Sequence, residues 1–178
     1  EYLTAGDTTL INWYNSAHIA NVRLQYSLDG GVNWNNITSS TPSAPGSYTW
    51  NIPQNISSAI AKIRISAANV QSIQDTSDGY FKIGWIKVVS PNGFENLQAG
   101  KVFPINFLKS TSIPEVRIDY TLNDGLTWIN ITPSSNVLNN YSWLIPENIS
   151  TALARIRISD AESNLQITDN SDTVFSIS

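Results

Sequence analysis

The sequence contains the same ordered set of motifs twice. WNNIT at residues 34–38 recurs as WINIT at 128–132, YTWNIPQNIS at 48–57 recurs as YSWLIPENIS at 141–150, and AKIRIS at 61–66 recurs as ARIRIS at 154–159. Glu1 aligns with Glu95, 94 positions later. Because repeated sequence patterns form repeated structural units, the sequence predicts two homologous domains, over residues 1–84 and 85–178.

Each copy shows the two-residue periodicity of β-strands that have one exposed face. Val22, Leu24 and Tyr26 alternate with polar residues, and residues 116–120 repeat this alternation in the second copy. Further strands are predicted at residues 10–14, 48–52 and 80–83, and at 104–108, 141–145 and 174–177. Short strands at this spacing predict an all-β fold with two tandem antiparallel β-sandwiches of about seven strands each, immunoglobulin-like or fibronectin type III-like.

One hairpin motif suggests a different fold. SLDGGVNW at residues 27–34 resembles the Asp-box of sialidase propeller blades. Propeller blades repeat about every 40–50 residues. Here the motif recurs only 94 residues later, as TLNDGLTW, which excludes a propeller. Asn123 takes the place of Asp29, and because both residue types favour tight turns, the motif is interpreted as a structural hairpin.

Composition excludes several kinds of site. The chain has no cysteine, which rules out disulfides, thiolate nucleophiles and thiolate-bound zinc. Charged residues make up 13% of the chain, the net charge is -4 and basic runs are absent, so we expect neither nucleic-acid binding nor membrane insertion. His18 is the only histidine and aligns with Ser112, so a catalytic triad or an imidazole-bound metal is not expected.

Several motifs together resemble a known family, the immunoglobulin-like repeats of exported bacterial proteins whose signature opens P-N-G-G-E. The second copy contains VVSPNGFENLQAG at residues 88–100 and DNSDTVFSI at 169–177, and the first copy contains DTSDGYFKI at 75–83. Phe94 stands in place of the second signature glycine and Phe107 in place of a tryptophan. More distantly, the chain is similar to the amino-terminal domain of fungal cell-wall assembly proteins.

The resemblance implies a secreted or cell-surface location. It favours a non-catalytic structural or adhesive repeat module of a cell-surface or filamentous assembly, and therefore a protein that is not an enzyme. Such repeats also accompany secreted hydrolases, so the alternative is a pair of carbohydrate-binding accessory domains. Fold alone does not choose between these functions.

Aromatic residues give two different predictions. Trp34 and Trp50 recur in the second copy as Trp128 and Trp143, and duplicated aromatics on strands are interpreted as core. Other aromatics have no aromatic counterpart, and four of them are candidates for binding sugars. A polysaccharide platform would use these residues: Tyr2, Tyr14, Tyr80 and Phe94.

The acidic residues before the last strand of each copy form a candidate calcium site. The carboxylates lie three positions apart, and the two pairs are Asp75 with Asp78 and Asp169 with Asp172. Oxygen ligands suit calcium, although the ion takes about six to eight of them. The other interpretation is a turn that initiates the last strand, so no cofactor is required.

The first copy lacks a segment that the second copy has. The second copy opens with WIKVV at residues 85–89 and the turn SPNG at 90–93, and nothing equivalent stands before Glu1 in this sequence. We therefore expect the first domain to lack its first strand and to expose a sheet edge. Neighbouring repeats of a longer protein, or copies of this chain, would pair there by strand addition.

Overall fold

The computed structural model describes residues 1–14, 17–44 and 46–178 of the chain, and these residues form two compact units, Glu1–Gly84 and Trp85–Ser178. The strands of the first unit are β1 Tyr2–Thr4, β2 Thr8–Asn12, β3 Asn21–Ser27, β4 Asn35–Pro42, β5 Ser47–Asn51, β6 Ser58–Ala67, β7 Gln74–Thr76 and β8 Phe81–Gly84. Those of the second are β9 Ile86–Ser90, β10 Asn96–Leu97, β11 Val102–Lys109, β12 Val116–Thr121, β13 Ile129–Ser135, β14 Asn140–Leu144, β15 Thr151–Asp160, β16 Thr168–Asn170 and β17 Phe175–Ile177. No helix able to cross a membrane occurs in the described ranges.

The first unit pairs its strands in two sheets. The larger sheet has the order β1-β8-β6-β3-β4, with β7 paired to β6, and the smaller sheet contains β2 and β5. All pairs are antiparallel except β1 with β8, which run parallel. Two facing sheets with antiparallel pairing make this unit a β-sandwich.

The second unit repeats that topology with one strand more in its smaller sheet. The larger sheet has the order β10-β17-β15-β12-β13, with β16 paired to β15. The smaller sheet has three strands, β14-β11-β9, so β11 is paired along both edges. The predicted fold is confirmed, since both units are immunoglobulin/fibronectin type III-like sandwiches. The strand number exceeds seven because short strands such as β7 and β16 precede the last strand.

The sandwich interiors hold the apolar residues that alternate along the strands. In the first unit, Trp50, Phe81 and Ile83 form the centre of the core. An aromatic pair spans each interior, with ring centroids 5.2 Å apart for Tyr26 and Trp50 and 5.1 Å apart for their counterparts, Tyr120 and Trp143. Pairs at this distance stabilise a core beyond simple area burial.

The hairpin motif is structural in both copies. Ser27 Oγ accepts the backbone N–H of Gly31 at 2.8 Å, and Asp29 Oδ1 accepts that of Asn33 at 2.8 Å. In the second unit, Asn123 Oδ1 accepts the N–H of Thr127 at 2.9 Å. An amide oxygen in one copy and a carboxylate oxygen in the other accept the equivalent backbone N–H. This confirms that the shared property is turn formation.

The core prediction was wrong for one duplicated pair. Trp34 and Trp128 are half-buried on the outer face of the larger sheets, and the guanidinium carbon lies 4.2 Å from the ring centroid for Arg64 over Trp34 and 4.3 Å for Arg157 over Trp128. Cation–π stacking explains why these aromatics recur without entering the core.

Candidate functional site

Strand β9 closes the second sandwich at one side. It pairs with β11 through Ile86 opposite Lys109 and Val88 opposite Phe107, and it also contacts β15 and β16 of the larger sheet. Ile86 and Val88 are 8% and 1% exposed. Side chains two residues apart point to one face of a strand, so both fill the space between the sheets.

The acidic motif before β17 holds this strand by its backbone. Asp169 Oδ2 accepts the N–H of Val88 at 2.7 Å, and Ser171 Oγ donates to the carbonyl oxygen of Pro91 at 2.8 Å. Asp172 Oδ2 accepts the side-chain amide of Asn92 at 2.7 Å, while the backbone N–H of Asp172 donates to Asn92 Oδ1 at 2.8 Å. We call Asp169, Ser171 and Asp172 the strand clamp.

The turn after β9 is fitted to the same motif. Glu95 accepts the N–H of Asn92 at 2.8 Å and that of Gly93 at 2.7 Å. Gly93 has φ 139°, and a Cβ placed there would lie 2.0 Å from Thr173 Cγ2, so only glycine fits. The P-N-G turn and the D-x-S-D motif, about 80 residues apart, therefore work as one interlocked unit.

The first unit carries the same clamp residues at Asp75, Ser77 and Asp78. Ser77 Oγ accepts the N–H of Ile63 at 3.2 Å, as Ser171 Oγ accepts that of Ile156 at 2.9 Å. Asp75 is exposed, and its Oδ1 accepts the N–H of Thr76 at 2.9 Å. In the described part of this unit, β2 pairs with β5 and no strand takes the position of β9.

An open groove lies where β9 would sit. It has a volume of about 560 Å³, and Leu3, Ile11, Ile63, Ile65 and Asp75 are among the residues that line it. A second cavity of about 330 Å³ shares Ile65 and Asp75 with the first, so the groove continues toward β7. The groove therefore has an apolar floor with the Asp75 carboxylate beside it.

The two units differ in burial along this groove. Ile11, Ile63 and Ile65 are partly exposed. Their counterparts Ile105, Ile156 and Ile158 are all 0% exposed. Ile73 is 53% exposed, whereas its counterpart Ile167 is 0% exposed. Identical residue types are therefore solvent-accessible in one copy and enclosed in the other.

The aromatics predicted to bind polysaccharide do not lie together. Tyr14 is fully exposed and borders the groove. Tyr2 lies on β1 with the Lys82 ammonium 5.5 Å from its ring centroid, and Tyr80 precedes β8 with Lys62 at 5.1 Å. Phe94 belongs to the other unit, is 86% exposed and has φ 67°, a left-handed conformation that favours glycine. A platform of these four remains a prediction.

The predicted calcium ligands Asp169 and Asp172 are hydrogen-bonded to the backbone and the turn as the strand clamp. Asp75 and Asp78 are exposed. Within residues 1–14, 17–44 and 46–178, no group of three or more His, Cys, Asp or Glu side chains is placed to hold a metal ion. Calcium binding therefore stays a prediction, and the hydrogen bonds observed are those expected of a turn.

A polar cluster on the outer face of β12, β13 and β15 was not predicted. Asp119 is fully buried and accepts hydrogen bonds from Arg117 at 3.0 Å, Arg157 at 3.0 Å and Asn130 at 2.9 Å. Burial alone would raise the pKa of Asp119, but the hydrogen bonds from Arg117, Asn130 and Arg157 outweigh it and lower the pKa. The sequence signal for this cluster was that Arg117 and Arg157 alternate with apolar residues along their strands.

The first unit has a neutral version of this cluster. Gln25 stands at the position of Asp119 and accepts Arg64 at 2.7 Å, and Asn36 Oδ1 accepts Arg23 at 2.9 Å. Burial, and then the charge of Arg23, lowers the pKa of Arg64. A carboxylate is thus present in only one copy, and a neutral amide makes the equivalent contact with an arginine in the other.

The two units define a tandem of immunoglobulin/fibronectin type III-like modules. The sequence matches no protein-family model and no curated protein. Among solved structures, the fibronectin(III)-like modules of Clostridium thermocellum CbhA are 15% identical with a TM-score of 0.33, and the alignment covers 99% of this chain and 87% of that one.

Two further structures are similar at the same level. The IG1+IG2 structure of DIP-gamma is 10% identical with a TM-score of 0.35, covering 99% of this chain and 91% of that one. The FN1-FN3 domains of chicken CNTN1 are 10% identical with a TM-score of 0.36, covering 97% of this chain and 61% of that one.

Proposed function

We propose that the chain is a non-catalytic repeat module of an extracellular structural or adhesive assembly, on a cell surface or in a filament. The observation that supports this role most is the pattern of substitutions between the copies. Asp29 is replaced by Asn123 and Gln25 by Asp119, while the turn and the arginine–tryptophan stack around them are kept. The features kept in both copies are therefore ones that stabilise the fold.

The location and the absence of turnover can be tested together. Antibodies against the chain should label intact cells of the source organism, with the label on the envelope or on extracellular fibres. Purified protein incubated with polysaccharides should release no reducing ends, because the carboxylates described here accept scaffold hydrogen bonds. Label that needs permeabilised cells, or turnover abolished by Asp29→Ala or Asp78→Ala, would overturn the proposal.

A second candidate is a carbohydrate-binding accessory region of a secreted hydrolase. One observation favours it: Tyr14 is fully exposed beside a groove, and exposed aromatic rings stack on sugars. Titration with soluble polysaccharides distinguishes the two functions. Binding that Tyr14→Ala removes and Tyr80→Ala leaves intact would establish the accessory role at this site.

A further inference from the structure

We propose that the outer face of the larger sheet in the first unit binds an acidic peptide segment, whose carboxylates contact Arg23, Lys62 and Arg64. We call these three residues the cation group. The bound segment is extended and carries acidic side chains two positions apart. A site of this kind follows from the differences between the two copies, whether or not the module is extracellular.

The cation group recurs in the second unit, where carboxylates of the chain itself satisfy it. The counterparts are Arg117, Arg155 and Arg157. Asp119 forms ion pairs with Arg117 and with Arg157, each at 3.0 Å, and Asp124 pairs with Arg155. The second unit therefore shows that cations in this arrangement bind aspartate side chains.

The first unit keeps the cations and lacks both of these carboxylates. Gln25 stands at the position of Asp119, and Gly30 stands at the position of Asp124. The hairpin of the first unit does contain Asp29, but this carboxylate accepts hydrogen bonds from other residues of the hairpin itself. The positive charge of the cation group is thus left for a ligand to balance.

Both arginines retain hydrogen-bond donors. Among the described residues, Arg23 donates to Asn36 Oδ1 at 2.9 and 2.6 Å, and Arg64 donates to Gln25 Oε1 at 3.1 and 2.7 Å. A guanidinium has more N–H groups than these bonds use, so each arginine keeps donors for a ligand. Arg23 is partly exposed and Asn36 is exposed, so a carboxylate can reach this face from solvent.

The electrostatics of the two copies differ in the way this site requires. Burial, and then the positive charge of Arg23, lowers the pKa of Arg64. In the second unit, the hydrogen bond to Asp119 raises the pKa of Arg117. An opposite charge at hydrogen-bonding distance stabilises the cationic form of a side chain. A bound carboxylate would therefore offset the repulsion between Arg23 and Arg64.

Two observations favour a peptide over an acidic polysaccharide. Sugars stack on free aromatic rings, but the cation group covers the rings beside it: Arg64 lies 4.2 Å from the ring centroid of Trp34, and Lys62 lies 5.1 Å from that of Tyr80. Lys62 and Arg64 also lie two positions apart on β6, a separation of about 7 Å along a strand. Acidic side chains two positions apart in an extended peptide have the same spacing.

The first experiment titrates the full chain with a fluorescent peptide of alternating aspartate and serine. The peptide should bind, as measured by anisotropy, and should shift the NMR signals of the Arg23 and Arg64 guanidinium groups and of the Trp34 indole. A peptide with asparagine in place of each aspartate is the matched control and should not bind. Equal binding of the two peptides would overturn the proposal. So would an oligogalacturonate that binds these residues when the aspartate peptide does not.

The second experiment compares three variants with the unmodified chain. Gln25→Asp keeps both arginines and supplies the carboxylate of the second unit, so it should weaken peptide binding at least about tenfold. Arg23→Gln should weaken binding to a similar extent, because charged hydrogen bonds to the ligand are lost. Arg117→Gln removes the same charge from the second unit and should leave binding unchanged. Unaltered binding by Gln25→Asp, or equal losses in Arg23→Gln and Arg117→Gln, would contradict a site on the first unit.

Discussion

At the residue scale, the two copies differ in the groups that accept hydrogen bonds from an equivalent pair of arginines. Asp119 is a buried carboxylate that accepts hydrogen bonds from both Arg117 and Arg157. In the first unit, the amide oxygen of Gln25 accepts from Arg64, and Arg23 donates to Asn36 instead. A buried carboxylate is costly to desolvate, and three donors offset that cost here. Removing the negative charge would leave the arginine charges without a counterion.

Substituting Asp119→Asn should therefore destabilise the second unit. We expect a loss of about 3 kcal/mol in its free energy of unfolding at pH 7, because Arg157 is mostly buried. Asp124→Asn is the matched control: Asp124 pairs with Arg155 at the surface, and exposed pairs contribute less than about 1 kcal/mol. Urea denaturation measures both, and equal losses would contradict this view of Asp119.

The same variant should also change how the free energy of unfolding of the second unit depends on pH. The pKa of Asp119 is lowered in the folded unit, so its stabilising effect is present above the unfolded pKa of about 3.9 and is lost as the pH falls through the folded pKa. Asp119→Asn should flatten this acid decline in the second unit. A decline of unchanged steepness would mean that other carboxylates cause it.

At the element scale, β9 and the strand clamp account for the main difference between the units. In the second unit, the clamp joins the beginning of the module to its last turn through Asp169. In the first unit, Asp75 accepts the N–H of its own neighbour Thr76. The clamp therefore holds a strand in the second unit, and two of its counterparts, Asp75 and Ser77, line an open groove in the first.

A matched pair of substitutions tests this difference. Asp169→Ala should cost the second unit about 2 kcal/mol, because the N–H of Val88 loses a charged acceptor, and exchange of that amide should speed up. Asp75→Ala should change the first unit by less than about 0.5 kcal/mol, since its carboxylate is exposed. Equal effects in the two units would contradict the clamp role.

The strands themselves could be predicted from the sequence, because period-two alternation is a local signal. The strand predicted at residues 10–14 lies at Thr8–Asn12, and the one predicted at 174–177 lies at Phe175–Ile177. The clamp could not be predicted in this way, since it joins residues 80 or 81 positions apart. Trp34 was misplaced because repetition alone does not separate a core ring from one stacked under an arginine.

At the scale of the whole chain, two units of one fold differ at one edge of the smaller sheet, where β9 is paired in the second unit only. The second unit encloses its isoleucines under β9, and the first leaves the equivalent residues accessible. The two copies therefore show the same sandwich with a strand paired beside β11 in the second unit and none described beside its counterpart β2 on that side.

Hydrogen exchange on the unmodified chain and on the Asp169→Ala variant tests the strand clamp most directly. In the unmodified chain, the Val88 amide and the amides of β11 that face β9 should be protected. Asp169→Ala should speed exchange of the Val88 amide at least about tenfold, whereas Asp75→Ala should leave the amides of β2 unchanged. A Val88 amide that exchanges at the same rate with and without Asp169 would contradict the clamp.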